Sequence, residues 1–251
     1  ISKMGMGDTP NQTITSCYEL ATLVLISYHN LYYDNEKTSY IKSLPISLEQ
    51  IYLDFNIKGR NPHLTKYKIN KALKGLIDKN IIQLKTLDNK DFNITINEDG
   101  KLNNKDDNKK RFYVLQKTSN TINQSTGEVT ENTFARLVKS DIASITSKSE
   151  NNLKTSQCLA IYAVLVSRMN ALGDEPSSVL SFEGINSISI RSGGLGDNVV
   201  LDCLDLLSKW KVIARIKVIP YNNNQYQWFY SRYEERGFLY NHVENAYNNT
   251  D

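Results

Sequence analysis

Residues 65–82 read TKYKINKALKGLIDKNII, and this stretch decides how the fold is interpreted. Thr65 predicts the N-cap of a helix, because its side-chain oxygen can accept a hydrogen bond from an unpartnered backbone N–H. Asn80 can adopt the left-handed conformation that ends a helix, and the β-branched pair after it begins a strand. Between them, apolar residues recur at helical spacing: Ile69, Leu73, Leu76 and Ile77.

The rest of this predicted helix is basic. Four lysines lie off the apolar stripe, namely Lys66, Lys68, Lys71 and Lys74. A capped helix with a buried stripe, a lysine face and a following strand is typical of the recognition helix and first wing strand of a winged helix, which enters the major groove of DNA. The alternative is an amphipathic surface helix with solvated lysines. Because the pattern occurs twice in the chain, we favour the winged helix.

The second occurrence covers residues 196–213. Four of its apolar positions (Val200, Leu204, Leu207 and Ile213) have the spacing of Ile69, Leu73, Leu76 and Ile82. An apolar helix is predicted ahead of each occurrence, at residues 16–33 and 158–166. A short second helix follows each of these, one opened by the Ser47 capping box and the other at residues 182–185.

Each occurrence is also followed by a predicted hairpin. The second hairpin runs from residue 212 to residue 230. The first is an enlarged wing with a mobile tip, in which residues 92–96 alternate as a strand does. Helix, helix, helix and hairpin, repeated in order, predict an α+β fold with two winged helix-turn-helix domains in tandem.

Composition suggests where these domains begin and end. We predict a disordered N-terminus (residues 1–13), a first winged-helix domain (14–117), a linker (118–133), a second winged-helix domain that opens with a strand (134–232) and a C-terminal tail (233–251). A chain of 251 residues is long enough for two domains of ordinary size.

The net charge of +3 hides a local basic region. Residues 58–79 contain seven basic residues and one acidic residue, which indicates a nucleic-acid footprint rather than charge spread for solubility. We expect phosphate contacts from this region and from the basic end of the first wing: Lys58, Arg60, Lys66, Lys68, Lys71, Lys74, Lys109, Lys110 and Arg111. Thr65 and the helix N-terminus are a further phosphate candidate. Base reading would fall to the start of the helix, at Lys66, Tyr67, Lys68 and Asn70.

The second copy of the pattern carries a different charge. Asp197, Asp202 and Asp205 stand where a helix that reads a DNA groove carries basic or amide side chains. Its predicted wing offers Arg215 and Lys217. The second unit therefore either contacts the DNA backbone through its wing or serves protein contact.

Other functional classes find little support in the sequence. Cys17, Cys158 and Cys203 are far apart, which excludes a CxxC metal site and predicts small buried residues in a reducing cytoplasm. The run 192–196 lacks the Gly-Lys-Ser/Thr ending of a phosphate loop and predicts a turn between helices. We find no apolar run that could span a membrane. We also find no nucleophile with a base and no pair of acid–base carboxylates. We predict no enzyme, no metal and no cofactor.

Two motifs carry a resemblance to a known family, residues 64–73 (LTKYKINKAL) and the repeat around residues 200–204 (VLDCL). Over residues 14–232 the pattern resembles the tandem winged-helix replication initiators of plasmids and phages from low-GC Gram-positive bacteria. The resemblance implies binding to repeated origin sequences in double-stranded DNA, with one unit reading DNA and the other forming a homodimer. It also suggests a helicase or primase of the host as partner. The chain departs from the family in one respect, because its basic helix lies in the first unit whereas the second is commonly the strong reader.

Two other functions remain open for the same fold. A transcriptional or partition regulator would recognise an operator without recruiting a helicase or primase. A winged-helix protein-interaction scaffold would have lost DNA binding in both units, and the lysine-rich first helix argues against it.

Overall fold

The computed structural model describes residues 14, 16–29, 32–33, 40–58, 61–117, 121–122, 129–130, 137–169, 180–219 and 226–248. Within these ranges the protein combines α-helices with small antiparallel sheets, which confirms the predicted α+β class. No helix in the described ranges is long and apolar enough to cross a membrane. The N-terminus predicted to be disordered, residues 1–13, lies outside them.

The described residues of the first half form three α-helices and a four-stranded sheet. The helices are α1 (Cys17–Tyr28), α2 (Leu48–Asp54) and α3 (Pro62–Asp78). Strands β1 (Tyr32–Tyr33), β2 (Tyr40–Lys42), β3 (Ile82–Thr86) and β4 (Phe112–Lys117) are antiparallel, in the order β1-β2-β4-β3. The predicted linker holds a short hairpin of β5 (Thr121–Ile122) and β6 (Val129–Thr130).

Serine side chains cap the first two helices. Ser16 accepts a hydrogen bond from the backbone N–H of Glu19, and Ser47 accepts one from Gln50, as its capping box predicts. Helix α1 ends at Tyr28, earlier than predicted, because β1 begins four residues later. Both α1 and α2 therefore begin directly after a serine whose side-chain oxygen accepts a hydrogen bond from a backbone N–H that has no partner within the helix.

The start of α3 differs from the prediction. Thr65 is not its N-cap, because the helix begins three residues earlier at Pro62, after Asn61. Proline suits the first helical position, where its fixed φ is already helical and its missing N–H would have no helical partner. Pro62 and Thr65 both favour the start of a helix, and α3 begins at Pro62.

The end of α3 is as predicted. Asn80 has φ 55°, and the N–H of Ile81 donates to the carbonyl of Leu76 at 3.0 Å, a Schellman closure. The second half repeats this closure at Lys211, which has φ 60°. There the N–H of Val212 donates to Leu207 at 2.9 Å.

The described residues of the second half form five α-helices and a hairpin. The helices are α4 (Lys139–Lys148), α5 (Asn152–Met169), α6 (Ile185–Arg191), α7 (Asp197–Lys209) and α8 (Arg236–Asn248). The predicted hairpin is confirmed as β7 (Ile213–Val218) with β8 (Gln227–Arg232). The predicted C-terminal tail holds α8, which contacts both strands and buries Leu239.

Two predicted elements of the second half are misplaced. The helix predicted at residues 182–185 begins only at Ile185, because Ser181 exchanges two backbone hydrogen bonds with Tyr230, at 2.8 and 2.9 Å, and holds this segment extended. Of the strand predicted to start at residue 134, residues 134–136 lie outside the described ranges. Leu137 and Val138 are in no strand.

The two halves repeat one arrangement. In the first half, Ile46 lies just before α2 and forms a β-bridge with Phe112 of β4. In the second half, Ser181 lies just before α6 and forms a β-bridge with Tyr230 of β8. All eight apolar positions matched between the copies are buried: Ile69, Leu73, Leu76, Ile82, Val200, Leu204, Leu207 and Ile213. The spacing noticed in the sequence is therefore a spacing of buried apolar positions in both halves.

The buried cores of the two halves are continuous with each other. Helices α1 and α5 make the most extensive helix–helix contact, with α3 packed on α1 and α7 packed on α5. One apolar cluster runs from Cys17 to Tyr230 across both halves. The three cysteines are free and buried in it, as predicted. The central pair α1 and α5 thus carries α3, on which most of the predicted DNA contacts lie, and the corresponding helix α7.

Candidate nucleic-acid interface

The lysines near the start of α3 are at the surface. Lys68 and Lys71 are exposed and Lys66 is partly exposed. The Nζ atom of Lys66 lies 5.2 Å from the ring centre of Tyr52, and that of Lys68 lies 5.4 Å from Tyr18. In the described part of the chain, no ion pair involves these three lysines. Their charges are therefore available to an anionic partner.

Other basic residues of this region are engaged within the protein. Lys74 forms an ion pair with Asp78 one turn later. Lys58 donates from Nζ to the carbonyl of Ser147 at 2.9 Å, and Asn152 hydrogen-bonds to its backbone at both N–H and C=O. Lys58 therefore links the segment before α3 to helices α4 and α5, and its phosphate contact stays a prediction. Arg60 lies outside the described residues.

The structure also argues against the DNA contacts predicted for Thr65 and Asn70. Thr65 is one turn inside the helix and accepts a hydrogen bond from Asn152 at 3.2 Å, so it marks no helix N-terminus for a phosphate. Asn70 is 2% exposed. Its Oδ1 accepts from the Tyr52 hydroxyl, and its Nδ2 donates to the carbonyl of Gly100 at 2.9 Å. Because the side chain is buried and both ends of its amide are hydrogen-bonded within the protein, Asn70 does not reach a base edge.

The long insertion between β3 and β4, residues 87–111, folds back on α3. Gly100 packs so closely that a Cβ atom would lie 2.4 Å from the carbonyl oxygen of Tyr67. Ile94 is buried, and the ring of Phe92 stacks on Phe112 with centroids 5.1 Å apart. The predicted free tip of the wing is therefore wrong. The insertion instead covers one side of α3, and Lys68 and Lys71 remain exposed beside it.

The Tyr52–Asn70–Gly100 network joins α2, α3 and the insertion. Burial raises the pKa of the Tyr52 hydroxyl to about 12, while its hydrogen bond to Asn70 acts in the opposite direction. The phenol is therefore protonated at neutral pH and donates to Asn70, which in turn donates to the insertion.

Replacing Asn70 with alanine is expected to release the insertion from α3. It leaves the Tyr52 hydroxyl and the Gly100 carbonyl without partners, at a cost of about 2 kcal/mol in the free energy of unfolding. Hydrogen–deuterium exchange should accelerate in residues 97–103. Lys68→Ala, a change at an exposed position of the same helix, should leave exchange there unaltered. Unchanged exchange in Asn70→Ala would show that the network does not hold the insertion.

The basic end of the first wing is mostly paired. Lys110 donates to Asp107 at 2.7 Å, and Arg111 donates to the carbonyl of Pro45 at 3.1 Å. Lys109 is exposed. Of the three predicted phosphate contacts in this cluster, Lys109 is the one whose side chain has no ion pair or hydrogen bond in the described ranges.

The second half offers fewer free cations. Arg215 forms an ion pair with Asp205 of α7, and its guanidinium lies 5.0 Å from the ring centre of Trp228. Burial lowers the pKa of Arg215, although an arginine stays charged. Lys217 is exposed, with Nζ 3.9 Å from the ring centre of Tyr226. The charge of Arg215 is thus compensated by Asp205, whereas that of Lys217 reaches the surface.

Sequence reasoning missed the part of this surface that the insertion contributes. Lys101 and Lys105 lie beside Lys66 and Tyr67 in one cleft. No local pattern predicts this, because the residues meet only when the insertion folds back. The one indication was Gly100, a residue suited to a close backbone approach.

Comparison of the chain with protein-family models, curated proteins and solved structures finds no match.

Proposed function

We propose that the chain binds double-stranded DNA through the lysine face of α3, with its two halves acting as tandem winged helices. The observation that carries the proposal is the set Lys66, Lys68 and Lys71. Their side chains reach the surface without carboxylate partners in the described ranges, on α3, the third helix of the first half, which is followed by strand β3. Neutralising phosphates with such lysines releases counterions, so affinity should fall steeply with salt.

The second half has a different part in this proposal. On α7, Asp197 and Asp202 are exposed, and phosphates would repel them. Contact with DNA from this half would therefore come from Lys217 on the hairpin. Its remaining surface is available to a protein partner such as a second copy of the chain.

For the biological role we propose replication initiation at a plasmid or phage origin, with a helicase or primase of the host as partner. This role rests on the family resemblance of residues 64–73 and 200–204. A transcriptional or partition regulator would use the same surface. Loss of plasmid copying in a Lys68→Ala/Lys71→Ala strain supports initiation, whereas intact copying with altered transcription rejects it.

The DNA proposal is tested by fluorescence anisotropy with duplex DNA across a salt series. The Lys68→Ala/Lys71→Ala variant is expected to bind about tenfold more weakly at low salt, with a slope of log K against log salt reduced by about two contacts. Lys209→Ala removes an exposed lysine at the end of α7 and should behave as wild type.

Two results would reject this assignment. If the double variant binds as wild type does, the lysine face is merely solvated, and Lys217 becomes the residue to test. If wild type binds no duplex at low salt, the scaffold alternative replaces DNA binding.

A further inference from the structure

A cleft lies between helices α2 and α3 and the folded-back insertion. Its volume is about 340 Å³, and its walls include Tyr52, Lys66 and Tyr67 from the helices and Lys101, Leu102 and Lys105 from the insertion. This volume is at the lower end of the range of about 300–1,000 Å³ that is usual for ligand pockets. The cleft therefore has room for one small organic molecule.

The charge of the cleft has one sign. Three of its lining residues are lysines, and the lining includes no carboxylate from the described part of the chain. None of the three lysines forms an ion pair within that part. The like charges of three lysines around one small volume repel one another, and an anion bound among them reduces that repulsion. The cleft is thus suited to a negatively charged group.

The other walls are suited to a flat ring. The aromatic side chains of Tyr52 and Tyr67 and the apolar side chain of Leu102 line the same cleft. Tyr52 is 6% exposed and the Nζ atom of Lys66 lies 5.2 Å from its ring centre, so the partly exposed Tyr67 provides most of the aromatic surface open to a ligand. Aromatic side chains favour stacked or edge contacts with other rings. Cationic and aromatic walls together favour a ring that carries a phosphate or a similar anion.

The cleft is preformed. The hydrogen bond from Asn70 to Gly100 fixes the insertion against α3, and buried Ile94 anchors it to the core. Gly100 has φ 95° and sits against the backbone of Tyr67, which sets the distance between the two walls. A ligand would therefore not have to order the loop before binding.

We propose that this cleft binds a small organic anion with a planar ring, of the class represented by nucleoside 5′-monophosphates. Lys66, Lys101 and Lys105 bind the phosphate, and the tyrosine rings contact the base. Because Lys66 also belongs to the α3 lysine face, an occupied cleft would compete with DNA. That second consequence rests on the proposed DNA function, whereas ligand binding itself does not.

Isothermal titration calorimetry without DNA tests the proposal. The probes are AMP, GMP, CMP and UMP, with inorganic phosphate and the free nucleosides as partial ligands. At least one nucleotide should bind with 1:1 stoichiometry and at least tenfold more tightly than phosphate or its own nucleoside. Lys101→Ala/Lys105→Ala, which changes two exposed residues, should weaken binding at least tenfold. Lys90→Ala, an exposed change in the same insertion but outside the cleft, should not.

Three outcomes would overturn the proposal. They are the absence of saturable binding by any of the four nucleotides, equal affinity for phosphate alone, and unchanged affinity in the Lys101→Ala/Lys105→Ala variant with a wild-type circular dichroism spectrum. None of them affects the DNA proposal, because DNA is absent from this titration. A saturating nucleotide should then weaken duplex binding in the anisotropy assay. Undiminished duplex binding would reject the competition alone.

Discussion

Gly193→Ala is expected to lower the free energy of unfolding by about 3 kcal/mol, the sum of a left-handed backbone cost of about 1–2 kcal/mol and a steric cost of about 1–3 kcal/mol. Gly193 lies in the turn between α6 and α7 with φ 94°. A Cβ atom there would lie 2.5 Å from the backbone nitrogen of Cys17 and from the carbonyl carbon of Ser16. Both are main-chain atoms at the start of α1, so the new methyl group cannot be accommodated by a side-chain rotation.

The neighbouring glycine provides a matched control. Gly194 also has a positive φ, 73°, but nothing lies within 4 Å of its Cβ position. Gly194→Ala should therefore cost only the conformational part, about 1 kcal/mol. Urea denaturation measures both variants, with the m-value used to verify that the transition keeps the same cooperativity. Equal losses in the two variants would show that α1 and the α6–α7 turn are not in close contact.

Local sequence signals predicted the local structure well. Ser47 opens α2 and Asn80 ends α3, because each acts through its own backbone and a partner within a few residues. The start of α3 was misplaced where two such signals competed, Pro62 and Thr65. Helix α8 was missed because much of its sequence is polar. Its position depends on packing against a hairpin formed earlier in the chain.

The contact between the halves could not be read from spacing. The repeat at Ile69 and Val200 indicated two similar units, and the apolar character of α1 and α5 indicated that both helices are buried. A helix that is apolar on most sides can be covered by its own unit or by another. That α1 and α5 cover each other becomes evident only in three dimensions.

The same limit applies to the candidate site. Exposure of Lys68 and Lys71 followed from helical periodicity, because their neighbours at Ile69 and Leu73 face the core. Asn70 also lies in the first turns of α3 and was predicted to read a base, but its side chain is buried. Its partners are 18 and 30 positions away in sequence, and no periodicity indicates them. Long-range polar pairing therefore decides which residues of a predicted surface are free.

Lys79→Ala is expected to destabilise the protein by about 3 kcal/mol, the lower end of the cost of breaking a buried ion pair. Glu19 of α1 is 6% exposed, and Lys79 at the end of α3 donates to both of its carboxylate oxygens, at 2.6 and 2.7 Å. A Cβ atom on Gly75 would lie 2.4 Å from this carboxylate, so α3 approaches Glu19 closely on this side. Removing the ammonium leaves a buried negative charge with little room to move.

Lys74→Ala is the matched control, because it breaks an exposed lysine–carboxylate pair on the same helix. Its cost should stay below about 0.5 kcal/mol, since exposed pairs contribute little. Adding Glu19→Gln to Lys79→Ala should recover part of the loss, because a neutral amide is cheaper to bury than a carboxylate. Urea denaturation of wild type, Lys79→Ala, Glu19→Gln and the Lys79→Ala/Glu19→Gln variant completes the double-mutant cycle. Equal small losses in Lys79→Ala and Lys74→Ala would mean that water reaches Glu19 and that this pair does not fix α3 to the central helices.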